Sequence, residues 1–297
     1  MALPKKYNID EWGVRYSSDW ETLIGADHTT FQCEHYRIRE GVTHIEENAF
    51  YHCQSLKSLW MPDSVTEEEG CLCEYCKNLE KARISMNIKY PDIAMFNSCT
   101  SLKEIELHEG LECIGENMFS GCSSLQHIKI PSSVKYFMGD TFCYTAIEEI
   151  ELPEKLEKIG HDTFFGCDSL KRLVIPAKVA KIRPWLVQAH ENFEGLTCLS
   201  PHFRIESDSL ISNNNNELIA CWARDKVYHI PASVKILGSI CNNMIETIIV
   251  DSPLKRIGRD AFVGCKNLKR IIYHAPVKHA DISYQCEHIE GAPTTQW

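Results

Sequence analysis

The residues best suited to chemistry in this chain are its fifteen cysteines and thirteen histidines. A zinc site needs convergent cysteine or histidine ligands, and Cys71-x-Cys73-x-x-Cys76 is the densest local group. No second ligand pair follows it at zinc-finger spacing. His274, His279, Cys286 and His288 form a looser set near the C-terminus. A disulfide framework goes with short secreted chains and an even count, whereas this count is odd and spread over 297 residues. His52 and Cys53 are adjacent, but Cys53 falls on a repeated core position described below, where a thiol is a poor nucleophile. The phosphate-cradling Gly-x-x-x-x-Gly-Lys, the Gly-x-Ser-x-Gly elbow and the His-Glu-x-x-His metal motif are all missing from the sequence. The chain is therefore read as a non-enzyme with no catalytic residue, no metal and no cofactor.

Composition narrows the partners. Net charge is −10 and the isoelectric point about 5.7, which argues against nucleic acid and against anionic membrane surfaces. No apolar run approaches the roughly 18–20 residues of a membrane helix, so membrane insertion is not expected. The opening Met1-Ala-Leu-Pro-Lys-Lys-Tyr7 has lysines without an apolar core behind them. Together with the odd cysteine count this implies a cytoplasmic protein with reduced thiols; a cell-surface or secreted protein is the alternative if a leader has been removed. Oligomeric state is not readable from these features.

Five stretches read alike: Phe50-Tyr-His-Cys53-Gln-Ser-Leu56, Phe96-Asn-Ser-Cys99-Thr-Ser-Leu102, Phe119-Ser-Gly-Cys122-Ser-Ser-Leu125, Phe164-Phe-Gly-Cys167-Asp-Ser-Leu170 and Phe262-Val-Gly-Cys265-Lys-Asn-Leu268. A sixth, Cys73-Glu-Tyr-Cys76-Lys-Asn-Leu79, puts cysteine in the phenylalanine place. The apolar column steps through Leu56, Leu79, Leu102, Leu125, Ile147 and Leu170, at intervals of 23, 23, 23, 22 and 23 residues. Such a fixed period signals a repeat architecture and overrides the two-domain expectation from length. Phe142-Cys143-Tyr-Thr-Ala-Ile147 and Ile240-Cys241-Asn-Asn-Met-Ile245 are two copies of a unit shortened by one residue.

After each leucine comes an alternating segment such as Leu102-Lys-Glu-Ile105-Glu-Leu107, which predicts a short strand, often ended by proline (Pro62, Pro131, Pro153, Pro176, Pro231). A pair spaced by three follows, such as Leu111/Ile114 or Val179/Ile182. The Phe-x-x-Cys segment is then expected to close the coil as one helical or 3₁₀ turn. A single unit cannot bury its apolar face, but stacked units share a core. A second pattern occurs twice: Tyr16-Ser17 through Leu23-Ile24 to Tyr36-Arg37-Ile38, and Ile211-Ser212 through Leu218-Ile219 to Tyr228-His229-Ile230. Two short strands flank a polar tip in each, predicting a hairpin set into the coil.

Within each predicted strand the two alternating positions face outward. Stacking yields one column of Ser58, Lys81, Glu104, His127, Glu149, Arg172, Thr247 and Arg270. The other contains Trp60, Arg83, Glu106, Lys129, Glu151, Val174, Ile249 and Ile272, and this second column is the candidate partner-binding set. Charge signs alternate from unit to unit, so neighbours about 4.8 Å apart would pair; a solubilising ladder and a recognition strip both fit. Trp60 at one end, and Val174, Ile249 and Ile272 toward the other, place apolar groups where the middle is charged, which suggests a contact patch unless the module near 201–230 covers it.

The pattern Phe-x-Gly-Cys-x-Ser-Leu-Lys-x-Ile-x-Ile-Pro-x-Ser-Val, as at 119–134 and 164–179, resembles the BspA-like bacterial leucine-rich repeat over about residues 13–273. The resemblance implies an α/β right-handed solenoid of about nine ~23-residue turns, with a parallel sheet on the concave face and short helical or 3₁₀ turns elsewhere. The expected organisation is an N-terminal cap with hairpin (1–41), a repeat array (42–200), an inserted hairpin module (201–233), final repeats (234–273) and a C-terminal cap (274–297), forming one solenoid domain. The resemblance further implies a scaffold that binds another protein, as bacterial adhesion and interaction proteins do. An intracellular interaction module with no adhesive role is the alternative, and an enzyme a remote one.

Overall fold

A computed structural model describes residues 7–280 and 288–290. The chain is a β-solenoid of about eleven turns, and no helix occurs among the described residues. It divides into two compact units, Met1–Leu156 and Glu157–Trp297.

The first unit begins with a meander. β1 (Tyr7–Ile9), β2 (Arg15–Ser17) and β3 (Thr22–Gly25) pair antiparallel around the tip Ser18-Asp19-Trp20. From there the coil runs parallel in two ladders. β4 (His35–Arg37), β6 (Ser58–Trp60), β8 (Lys81–Arg83) and β9 (Glu104–Glu106) form one sheet, with Tyr36, Leu59, Ala82 and Ile105 in register. β5 (His44–Ile45) and β7 (Glu67–Glu68) extend β3 in the other, and β10 (Cys113–Ile114) pairs with β11 (Tyr136–Phe137).

The second unit repeats the scheme. β12 (Lys158–Ile159) pairs with β14 (Lys181–Ile182), and β13 (Arg172–Ile175) with β15 (Gly195–Cys198). A second meander follows in β16 (Phe203–Ile205), β17 (Ser209–Ser212) and β18 (Glu217–Cys221), so the duplicated pattern is a hairpin in both places. β18, β20 (Ile236–Leu237), β22 (Leu254–Ile257) and β24 (Val277–Ala280) run parallel. So do β19 (Val227–His229), β21 (Thr247–Val250), β23 (Arg270–Tyr273) and β25 (His288–Glu290).

The helical or 3₁₀ turns expected at Phe-x-x-Cys are single hydrogen-bonded turns that never become helix, so the described residues are all-β rather than α/β. The cause is local. The amide of Cys53 donates to the Phe50 carbonyl at 3.2 Å and that of Leu56 to the Cys53 carbonyl at 3.2 Å, which are helix-like steps. Yet five of these turns carry two left-handed residues four apart: Asn48 and His52, Cys71 and Tyr75, Ala94 and Ser98, Asn117 and Gly121, Asp162 and Gly166. A positive φ every fourth residue ends any helical run before it propagates. It also explains the glycine of Phe-x-Gly-Cys, which stands where φ is +72° at Gly121 and +85° at Gly264.

The turn count exceeds the nine expected, and two turns carry a different residue at the ruler mark. Cys33 holds the leucine place before β4 and Phe193 holds it before β15; both are buried. Elsewhere the core follows the columns. Leu56, Leu79, Leu102, Leu125, Ile147 and Leu170 are fully excluded from solvent. Phe96 stacks on Phe119 at 5.9 Å and Phe119 on Phe142 at 5.7 Å, nearly parallel. All six column cysteines are buried, and three thiols donate to the carbonyl one turn back: Cys76 to Phe50 at 2.9 Å, Cys99 to Cys73 at 3.0 Å and Cys122 to Phe96 at 3.2 Å. Burial pushes the Cys53 and Cys122 thiols well up, and Cys265 to about 12. Cys73 and Cys76 of the densest cysteine cluster point into this core, while Cys71 is half-exposed. Cys286 lies outside the described residues.

Candidate binding face

The outward positions of the β4–β6–β8–β9 sheet gather the molecule's most distinctive side chains. In-register pairing sets His35, Ser58, Lys81 and Glu104 in one row and Arg37, Trp60, Arg83 and Glu106 in the other. Trp60 is half-buried between two cations, with the guanidinium carbons of Arg37 and Arg83 each 4.9 Å from its ring centre. It is therefore not the end of a column and not a bare apolar patch, because β4 precedes it. The leucine ruler starts at Leu56 and so passes over β4, whose inward residue Tyr36 stands between buried Cys33 and Ile38.

The charge ladder forms where the strands do. Lys81 meets Glu104 at 2.7 Å, and Arg83 meets Asp63 at 2.7 Å and Glu106 at 3.5 Å. Arg83 also donates to the Met61 carbonyl at 2.6 Å, which fixes its fork beside the tryptophan. Lys129 and Glu151 are exposed, but their segments carry no strand, and the break coincides with the shortened unit at 142–147.

Next to this sheet the N-terminal meander builds a second wall. The hydroxyls of Tyr16 and Tyr36 share a hydrogen bond at 2.5 Å, and Tyr36 donates to Asp10 Oδ2. Burial raises both phenols, so they remain protonated. Asp10 Oδ1 accepts the backbone amides of Trp12 and Val14 at 2.9 Å each. Trp20, at the hairpin tip, lies 5.3 Å from Tyr16, and the Arg39 guanidinium carbon lies 4.6 Å from the Trp20 ring centre. A cavity of about 480 Å³ opens among Asp10, Glu11, Trp12, Tyr16, Trp20, His35, Arg37 and Arg39. A second, of about 250 Å³, lies among His35, Arg37, Ser58, Trp60, Lys81, Arg83 and Glu106. His35, Tyr36 and Arg37 line both.

The candidate residues of the second unit are placed differently. Val174 is 47% exposed and stands opposite Thr197 of β15, a strand the outward columns had skipped. Ile249 and Ile272 are in-register neighbours, half-buried, with His229 and Glu290 on the flanking strands. The module at 201–230 does not simply cover this row: its β19 adds a strand to the sheet's edge. His274 and His229 each approach one oxygen of Asp251 at 2.7 Å.

A stacked array of short parallel strands, with a shared core and an outward face of charged and aromatic rows, defines the class: a leucine-rich-repeat scaffold, which presents surface to other proteins. The chain belongs to the BspA-type leucine-rich repeat family, whose model matches in six copies over residues 28–145, 138–269 and 233–286. No curated protein matches it. A leucine-rich cell surface protein from Faecalibacterium prausnitzii is similar in structure, at 18% identity and a TM-score of 0.56, with 96% of each chain covered. A leucine-rich repeat protein from Bacteroides ovatus is similar at 18% identity and 0.51, covering 98% of this chain and 78% of the other. The pneumococcal vaccine antigen PcpA is similar at 17% identity and 0.50, covering 94% and 77%. At these identities the likeness concerns the fold. No helix among the described residues is long and apolar enough to cross a membrane.

Proposed function

We propose that this protein is a non-enzymatic binding scaffold whose protein partner lies across the outward face of the β4–β6–β8–β9 sheet. The observation that carries this reading is the placement of Trp60 between Arg37 and Arg83 on the wall of a cavity. Tryptophan and arginine are the side chains that dominate binding energy at protein interfaces. Arg83 and Glu106 belong to this face, while Lys129, Glu151 and Val174 lie outside its sheet, and the Ile249–Ile272 pair forms a lesser apolar row in the second unit.

The mechanism is surface complementarity. The deciding experiment is affinity capture with the wild-type chain and with Trp60→Ala and Ile249→Asp. Proteins retained by wild type and lost with Trp60→Ala support the reading; identical capture by both refutes it. Loss with Ile249→Asp alone would move the site to the second unit.

Fifteen cysteines, with the column members buried as thiols, support a reducing compartment. The cell-surface description of the F. prausnitzii neighbour supports the alternative of an exported binding protein.

A further inference from the structure

We infer that Arg37 and Arg39 form a paired clamp for carboxylates, so that the partner presents an acidic peptide segment to the N-terminal end of the sheet. The inference rests on the proposed binding face and names the chemistry it recognises.

The first support is an imbalance of charge. On this sheet Lys81 and Arg83 have carboxylate partners within 4 Å. Arg37 and Arg39 are exposed and, among the described residues, have no ion pair. Among the described residues, each guanidinium lies against a tryptophan face, Trp60 for Arg37 and Trp20 for Arg39. Stacking orients a guanidinium while leaving its in-plane N–H groups free, and that fork matches a carboxylate with two parallel hydrogen bonds. Both arginines line the larger cavity, so two acidic side chains could be held together. Asp10 lines the same cavity but pairs with neither arginine among the described residues; its oxygens accept from Trp12, Val14 and Tyr36.

The second support is internal. The duplicated module keeps the scaffold of the first and lacks this chemistry. Tyr228 replaces Tyr36 and its hydroxyl is still hydrogen-bonded, here to Ser209 at 2.5 Å. In the register that pairs Arg37 with Trp60, the second copy pairs His229 with Ile249, and Pro231 stands in the place of Arg39. The module therefore folds without the arginines or the tryptophan, and their presence in the first copy needs another reason. The chain's net charge of −10 disfavours long polyanions, and exposed charge is screened beyond about 8 Å at physiological salt, so the clamp suits a short acidic stretch.

The test uses octaglutamate as the probe, with tryptophan fluorescence as the readout. Binding to the full chain should weaken as salt rises and fall about tenfold for each of Arg37→Gln and Arg39→Gln. Lys81→Gln, which removes a cation already paired, should change affinity little. Glu11→Gln should tighten binding, since Glu11 lines the same cavity. Should a glutamine variant fold poorly, Arg37→Lys and Arg39→Lys keep the charge and lose the fork, and they too should bind more weakly. No binding at low salt, equal binding by the arginine variants, or stronger binding of an oligonucleotide of equal charge would each overturn the inference. Protein capture that depends on Trp60 but not on the two arginines would leave the scaffold reading standing while removing the clamp.

Discussion

The guanidinium of Arg37 lies 4.9 Å from the ring centre of Trp60, on the adjacent strand of one parallel sheet. The two residues meet because β4 and β6 pair in register, one turn of the coil apart. A cation held on an aromatic face near the surface contributes about 0.5–1 kcal/mol. Trp60→Ala, which loses two such contacts and a half-buried ring, should therefore lower stability by only about 1–3 kcal/mol while removing partner binding. Chemical denaturation alongside affinity capture separates the two effects; a variant that binds normally would show that the ring serves stability alone.

The phenylalanine column predicts a much larger loss. Phe119 is fully buried between Phe96 and Phe142. Phe119→Ala should cost about 3–5 kcal/mol, because stacked turns cannot close over the missing ring. Its unfolding midpoint in urea should fall sharply, and a shift no larger than that of a surface variant would count against a shared core.

Gly264 tests the left-handed positions. Its φ is +85° and an added Cβ would come within 2.5 Å of the Cys241 sulfur. Gly264→Ala should destabilise by about 1–3 kcal/mol from backbone strain and overpacking together. Gly41→Ala shares the positive φ but meets nothing within 4 Å, so it should cost less. Thermal melts of the pair would distinguish collision from backbone strain.

Acid should loosen the second unit. Glu246 bonds Lys226 at 2.6 Å and Lys269 at 2.8 Å, and these hold its carboxyl down to about 2. A carboxyl whose folded value is depressed adds stability above its ordinary value near 4.5, and that stability drains away as pH falls from about 4.5 to 2. Asp251 is lowered as well, by hydrogen bonds from His229 and His274. Melting temperature should decline over this window, and Glu246→Gln should flatten the decline. A pH profile unchanged by that substitution would show the pairing to be inconsequential.

Thiol accessibility bears on compartment. Alkylation of the native chain should be slow, since burial raises the column thiols and Cys71 is itself raised to about 12. Under denaturing, non-reducing conditions the free-thiol count should approach fifteen. Several missing thiols would point to disulfides and to the exported alternative.

Much of this fold was legible in the residues because a repeat writes the same local constraint many times. The phenylalanine, cysteine and leucine columns identified the buried ladder and placed six cysteines in it, and the duplicated hairpin was visible as a second pattern. The turn between Phe and Cys reads as helical or 3₁₀ because of its i to i+3 spacing; only backbone geometry reveals the left-handed residues that keep it to a single turn. β4 escaped notice because Cys33 and Tyr36 occupy places that leucine and isoleucine hold elsewhere, although one step of 23 back from Leu56 would have found it.

What sequence alone determined, then, is the period, the core columns and the family, all of which depend on apolar identity at fixed spacing. What only the tertiary structure decided is the company each outward residue keeps. Trp60 read as an apolar end and proved to lie between two arginines, and Arg37 and Arg39 emerged as cations without carboxylate partners among the described residues. The reason is physical: burial is enforced turn by turn along the chain, whereas a surface cluster is assembled across strands whose register and neighbours exist only once the coil has closed.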